Sequence, residues 1–366
     1  MLNFKEKLYQ HGLISQGCSK RLKTFRNKLN NRSNITYATI GGSITFGSCA
    51  EPREEKAYPS LFSQYLNSHT ECRFINAGIG ATTSLFGAFR AQKDILQYIP
   101  DIITIEFAVN DSVNPDTEGS FENLVRQCVL LPHKPLVILI FTMNSKGQNC
   151  QHLHIPVGEH YKLPMLSYRD AVYPEIEVGS FKWEDISPDE VHPNNAGHAF
   201  IASMLSQFVE TASPVINEED SLPELLFSDG AKYSDGHIFD ADNVDCINNS
   251  GWNQYSHNHG FASWKSDQPS SELIIRLKAK LIIIGFVKYA GDYGKIEISI
   301  DNDPVIVIDG FFEKPQIQEW GGGHTVLTPL IDNPDSSEHI INIKLLDEYH
   351  NDSNGHMFKI TYFLTS

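Results

Sequence analysis

Asp-Ile-Ile-Thr-Ile-Glu-Phe-Ala-Val-Asn-Asp (101–111) is a nearly unbroken run of β-branched and apolar residues that ends in two polar ones. A strand exposed on one face alternates apolar with polar side chains, whereas one covered on both faces does not. The run therefore reads as a strand inside a parallel sheet with helices on either side. Working outward, apolar runs at 36–42, 72–77, 135–143 and 163–168 alternate with helix-like stretches at 56–68, 84–98, 118–131, 150–160 and 194–210. That alternation predicts an α/β layered domain. Ligands in such sheets bind beyond the carboxyl ends of the strands, so the polar end of this run, Asn110-Asp111, falls where chemistry is expected. Its other reading is an ordinary turn or helix cap.

Two further segments lead to the same edge. Tyr-Ala-Thr-Ile-Gly-Gly-Ser (37–43) is strand-like and ends on Ser43. Asn-Ala-Gly-Ile-Gly-Ala-Thr-Thr-Ser (76–84) is a glycine-rich strand-to-helix turn, which can aim a backbone N–H at an oxyanion. Far downstream, Ile-Ser-Pro-Asp-Glu-Val-His-Pro (186–193) sets Asp189 three residues before His192. A serine hydroxyl is a poor nucleophile until an imidazole takes its proton and a carboxylate fixes the imidazole tautomer. The D-x-x-H spacing lets Asp189 reach Nδ1 of His192 and leaves Nε2 for Ser43. Cys49, six residues after Ser43, is a rival nucleophile but lacks placement at a strand end.

In these residues the chain resembles the SGNH hydrolases, the GDSL lipases and esterases. Ser43 matches the first block, Gly80 the second, Asn110 the third, and Asp189 with His192 the last, over residues 35–210. The resemblance implies a flavodoxin-like five-stranded parallel sheet of order 2-1-3-4-5. It also implies a catalytic triad of Ser43, His192 and Asp189, with an oxyanion hole from the amides of Ser43 and Gly80 and the Asn110 side chain. Departures are specific. Gly42 stands where the family pattern has an acid, Ala108 where it has glycine, and the second block leaves either Gly80 or Ala81 to supply the amide.

The 366-residue chain has a net charge of −16, which argues against nucleic acid or an anionic membrane as partner. A basic N-terminal stretch (Lys5, Lys7, Lys20, Arg21, Lys23, Arg26, Lys28, Arg32 against Glu6) reads as a solvated helical face. No apolar run reaches the roughly 18 residues of a membrane span, and the start lacks a signal-peptide core, so a cytoplasmic protein is expected. Six cysteines without C-x-x-C spacing indicate neither a disulfide framework nor a zinc site. The cluster Cys150, His152, His154 and His160 is read as part of a helix rather than a metal centre. The chemistry requires no cofactor.

Beyond residue 212 the pattern changes. Residues 1–34 read as a helical segment packed on a catalytic domain of residues 35–212, followed by a Pro-, Ser- and acid-rich linker at 213–223. Residues 224–366 carry short β-rich runs between Gly, Asp and Asn turns and predict a smaller all-β sandwich of jelly-roll type. Such a sandwich beside an SGNH module resembles those of carbohydrate esterases, including family 2, where it precedes the catalytic domain. Trp252, Trp264 and Trp320 are candidates for stacking on sugar rings, with core packing as their other reading. Trp320, in Trp-Gly-Gly-Gly-His (320–324), is the substrate-binding candidate. The reading is a serine esterase removing short acyl groups, acetyl foremost, from a saccharide ester. The alternatives are an acyltransferase of polysaccharide assembly and a carbohydrate-binding protein without activity.

Overall fold

The computed structural model describes residues 4–214, 222–257, 259–301, 303–312 and 323–366. The chain begins with α1 (Phe4–Gly12), β1 (Leu13–Gln16), α2 (Ser19–Asn30), β2 (Ile35–Gly41), α3 (Ser43–Phe46), α4 (Arg53–Lys56) and α5 (Tyr58–Asn67). It continues through β3 (Cys72–Gly78), α6 (Ser84–Asp94), β4 (Ile102–Glu106), α7 (Pro115–Val129), β5 (Leu136–Phe141), α8 (Gln151–His160), β6 (Pro164–Ser167), α9 (Tyr168–Glu177) and α10 (Asn195–Thr211). These elements belong to the first of two compact units, 1–231 and 232–366.

In the first unit the sheet order is β1-β6-β5-β4-β2-β3. The five strands from β2 to β6 are parallel, in flavodoxin-like order. Every residue of β4 and β5 is buried, including Thr104 and Glu106 among the apolar residues of β4. On one face Ile40, Ile103, Ile105 and Leu139 pack with Ala88, Ala91, Leu124 and Val157 of α6, α7 and α8. On the other, Tyr37, Ile102, Ile138 and Ile140 meet Phe25, Phe62, Leu66, Leu205 and Phe208 of α2, α5 and α10.

The expected five-stranded sheet has a sixth strand. β1 pairs antiparallel with β6, Leu13 opposite Leu166 and Gln16 opposite Pro164, within the segment read as wholly helical. Four residues, Leu-Ile-Ser-Gln, are too few for a period, and only the edge of β6 selects their extended form. The basic residues nearby are staples as well as a solvated face. Arg21 donates to the carbonyls of Val129 and Pro135, and Arg26 to those of Phe208 and Val209 at the end of α10. Lys28 pairs with Asp101.

Most of the expected linker, residues 215–221, lies outside the described residues. Residues 223–230 return to the first unit. Arg126 donates to the Pro223 carbonyl at 2.7 Å, and Asn123 to that of Gly230 at 3.0 Å. The amides of Leu226 and Phe227 donate to the buried Glu122 carboxylate at 2.6 and 2.8 Å. Three side chains of α7 thus hold a segment whose composition resembles linker, and the division falls at 231/232 rather than at 224.

The second unit is an all-antiparallel β-sandwich of β7 (His237–Phe239), β8 (Asp245–Ser250), β9 (Asn253–Ser256), β10 (Ala262–Ser266), β11 (Glu272–Lys288), β12 (Gly294–Ile300), β13 (Ile306–Asp309), β14 (His324–Tyr349) and β15 (Phe358–Thr365). Two long strands organise it. β11 alternates buried with more exposed residues as far as Ala279 and is then almost continuously buried from Leu281 to Val287, while it pairs along its length with β14. Trp252 and Trp264 are core residues, 4% and 2% exposed, packed with Leu273, Ile284, Ile298 and Phe363. Trp320 lies outside the described residues.

Candidate active site

Ser43 is the first residue of α3, directly after β2, where an α-helix leaves its own N–H unpaired. The turn needs the two glycines before it. A Cβ at position 41 would lie 2.1 Å from Thr45 Oγ1 and 2.5 Å from the Glu106 carbonyl, and one at position 42 would lie 2.2 Å from Asn110 Oδ1. At position 42, where the family pattern has an acid, Asn110 here occupies the space a Cβ would take.

His192 and Asp189 reach this turn from the opposite end of the chain. His192 Nε2 is 2.8 Å from Ser43 Oγ, and His192 Nδ1 is 2.7 Å from Asp189 Oδ2. The other oxygen, Asp189 Oδ1, accepts the backbone N–H of Val191 and of His192, each at 2.7 Å. Partial burial pushes the Asp189 pKa up. The His192 amide, the His192 ring and the Val191 amide outweigh it and hold the carboxyl below its ordinary range. The loop is locked by Trp183 Nε1 and Ser187 Oγ, both donating to the Asp189 carbonyl, and by Asn194, which caps α10 immediately after it. A carboxylate, an imidazole and a hydroxyl in series constitute a proton relay, with Nδ1 as donor to Asp189 and Nε2 as acceptor.

The predicted oxyanion donors gather round Ser43. A Cβ on Gly80 would sit 3.7 Å from Ser43 Cβ, so the backbone of this turn passes within van der Waals range of the hydroxyl-bearing carbon. Ala81 beside it has φ +56°, a left-handed conformation uncommon without glycine. The Asn110 oxygen is buried against Gly42 without a partner among the described residues. Its Nδ2 makes no protein hydrogen bond there, leaving a donor free for a substrate. Asp111 joins the blocks: its carboxylate accepts the Ser84 amide that starts α6 at 2.8 Å and contacts His154 Nε2 at 2.9 Å.

The candidate histidine and cysteine cluster is divided among other tasks. His154 stacks on Phe121 with ring centroids 3.6 Å apart and serves Asp111. Cys150 Sγ donates to the Asp111 carbonyl, and His160 contacts the Glu224 carbonyl. Cys49 is placed differently. Its thiol lies 3.6 Å from Asp189 Oδ2, and burial together with the Asp189 charge pushes its pKa up, the reverse of what a nucleophilic thiolate needs.

Three residues escaped the sequence reading. Glu106 ends β4 fully buried, accepts the hydroxyls of Thr45 at 2.9 Å and Thr142 at 2.6 Å, and has its pKa raised by that burial. Arg90, also buried, donates to the carbonyls of Ala77 at 2.6 Å and Gly41 at 3.1 Å, tying together the ends of β3 and β2. His198 bridges the Tyr58 amide and the Ser48 carbonyl, and burial lowers its pKa to about 4. A charged residue closing a buried strand was the one available signal, and it pointed only to Glu106. A cavity of about 390 Å³ opens beside α3 between Phe46, Arg53, Ser60, Phe74 and Asn76.

A parallel sheet with Ser43, His192 and Asp189 in hydrogen-bond contact at its carboxyl edge is the arrangement of the SGNH hydrolase fold. Residues 39–200 match the family model of the GDSL-like lipase/acylhydrolase family. Among solved structures it is similar to a two-domain esterase (CEX) active on acetylated mannans, at 26% identity over 98% of each chain with a TM-score of 0.84. The same esterase co-crystallised with mannopentaose matches at 26% identity over 98% of this chain and 97% of that one, with a TM-score of 0.83. An acetylxylan esterase, Axe2, from Geobacillus stearothermophilus matches at 20% identity over 49% of this chain and 95% of its own, with a TM-score of 0.42. No curated protein matches the chain. Among the described residues no helix is long and apolar enough to cross a membrane.

Proposed function

We propose that the protein is a carbohydrate acetylesterase that removes acetyl groups from a mannan-type saccharide through an acetyl-Ser43 intermediate. The observation that carries the chemistry is the continuous chain Ser43 Oγ–His192–Asp189, with contacts of 2.8 and 2.7 Å. The substrate class is supported by similarity over both domains to an esterase active on acetylated mannans.

In this reading Ser43 Oγ attacks the acetyl carbonyl carbon as its proton passes to His192 Nε2, and Asp189 stabilises the imidazolium that forms. The carbonyl oxygen becomes an oxyanion held by the Ser43 amide, the amide of Gly80 or Ala81, and Asn110 Nδ2. Collapse of the tetrahedral intermediate breaks the bond to the sugar oxygen, which leaves with the proton from His192. Water then attacks acetyl-Ser43 by the same route in reverse, giving acetate and free serine. The side chains supply every proton transfer.

The test is release of acetate from acetylated manno-oligosaccharides, acetylated xylan and nitrophenyl acetate by the full chain and by Ser43→Ala. Acetylated mannan should be the preferred natural substrate, and all three activities should vanish in the variant. Preference for long-chain nitrophenyl esters would overturn the acetyl assignment. Transfer of acetyl to an added sugar in place of acetate release would make the protein a transferase.

A further inference from the structure

Cys49 is held beside the Asp189–His192 pair by a loop that the triad does not require. Its backbone is left-handed, with φ +64°, an uncommon state for a residue with a side chain. The loop is clamped to α10, the helix that follows His192. Glu51 N donates to Asn195 Oδ1 and Asn195 Nδ2 to the Glu51 carbonyl, both at 2.8 Å, while His198 Nε2 lies 3.1 Å from the Ser48 carbonyl. Cys49 Sγ is thereby fixed 3.6 Å from Asp189 Oδ2, the oxygen that also contacts His192 Nδ1. A thiol, a carboxylate and an imidazole present three ligand atoms within 4.8 Å of one another, with Cys49 and Asp189 exposed to solvent.

We propose that Cys49 Sγ, Asp189 Oδ2 and His192 Nδ1 form an inhibitory site for a borderline-soft divalent cation, Zn²⁺ above all. Zinc takes sulfur, nitrogen and carboxylate oxygen together, with bonds of about 2.0–2.3 Å, which puts neighbouring ligands of a tetrahedral site roughly 3.3–3.7 Å apart. The Cys49–Asp189 spacing already lies in that range, and the Asp189–His192 contact opens by about an ångström as the cation replaces the proton between them. The fourth position faces water.

Coordination stops the relay by fixing the wrong tautomer. In the resting triad the imidazole proton is on Nδ1 and Nε2 accepts from Ser43. With Nδ1 bound to the cation that proton resides on Nε2, which then donates to Ser43 Oγ and cannot take its proton. Only the thiol proton is released to solvent, and nothing is oxidised or reduced. The inhibition, though not the binding, rests on the catalytic reading above.

Two readouts test this with the full chain. Nitrophenyl acetate hydrolysis is titrated with ZnCl₂ and then with EDTA, comparing wild type, Cys49→Ala and Cys49→Ser, each against its own zinc-free rate. Separately, Co²⁺ is added to Ser43→Ala, with and without Cys49→Ala, and the ultraviolet thiolate-to-cobalt absorption is recorded. The site predicts EDTA-reversible inhibition of wild type, with the half-inhibitory zinc concentration raised at least tenfold in both Cys49 variants. It also predicts a cobalt band in Ser43→Ala that disappears when Cys49 is removed. Equal zinc sensitivity of Cys49→Ala and wild type, or a cobalt band that survives loss of Cys49, would overturn it. A Cys49-dependent cobalt band in a chain with no esterase activity would retain the site and reject the proposed function.

Discussion

His192 Nε2 lies 2.8 Å from Ser43 Oγ although 149 residues separate them in the chain. The contact depends on two rigid supports. One is the Gly41–Gly42 turn at the end of β2; the other is the capped start of α10, whose Asn195 reaches back to Glu51. Together they set the Ser43–His192 distance.

Ser43→Ala should retain the fold and lose nearly all turnover, leaving the residual rate due to binding and oxyanion contacts. A fluorophosphonate should label Ser43 in the wild type, as read by peptide mass spectrometry. Modification at Cys49 in its place would contradict the geometry.

Asp189→Asn keeps the shape of the pair but reverses its tautomer preference, and kcat should fall by about 10⁴ with little change in KM. The carboxyl pKa is depressed, so Asp189 is ionised throughout the weakly acidic range, and its stabilising contacts are lost only as pH falls through that depressed value. The acid limb of kcat/KM should therefore carry no contribution from the Asp189 carboxyl in the weakly acidic range. A limb of slope two in the logarithmic profile would bring a second group into the mechanism.

Asn110→Ala removes the free amide donor and should lower kcat by roughly 10²–10³ with a smaller effect on KM. Unchanged turnover would assign Asn110 to packing against Gly42.

Glu106→Ala would leave the hydroxyls of Thr45 and Thr142 without their buried acceptor and should cost about 3 kcal/mol of stability. Thr45 lies two residues after Ser43, so the loss should extend to kcat. Glu106→Gln, which keeps the shape and an acceptor oxygen, should recover a large part of both. Urea unfolding and steady-state kinetics on the two variants provide the comparison.

His198 gives the stability a pH dependence of definite sign. Burial lowers its folded pKa from 6.5 to about 4, so the unfolded chain binds a proton that the folded chain refuses. The contribution of the neutral ring is complete above the unfolded value and is lost as pH falls from about 6.5 towards 4, by up to about 3 kcal/mol. Urea midpoints across this interval should fall more steeply for the wild type than for His198→Asn. Parallel slopes would place the acid sensitivity elsewhere.

The sequence by itself determined the parallel layers, the all-β character of the second half and which residues are candidates for the reacting groups. Each is written locally: continuous β-branched runs signal strands buried on both faces, and a serine, a glycine turn and an asparagine at strand ends carry their own meaning. Tertiary structure decided whatever depends on a distant partner. The four residues of β1 are extended only because β6 offers an edge. Residues 223–230 belong to the first unit because Glu122, Asn123 and Arg126 bind their backbone. Trp252 and Trp264 are core because other strands cover them, and Cys49 is a neighbour of Asp189 because its loop is clamped to a helix 144 residues later. A pattern records which faces of an element are apolar; it holds no record of which buried polar group will find which partner.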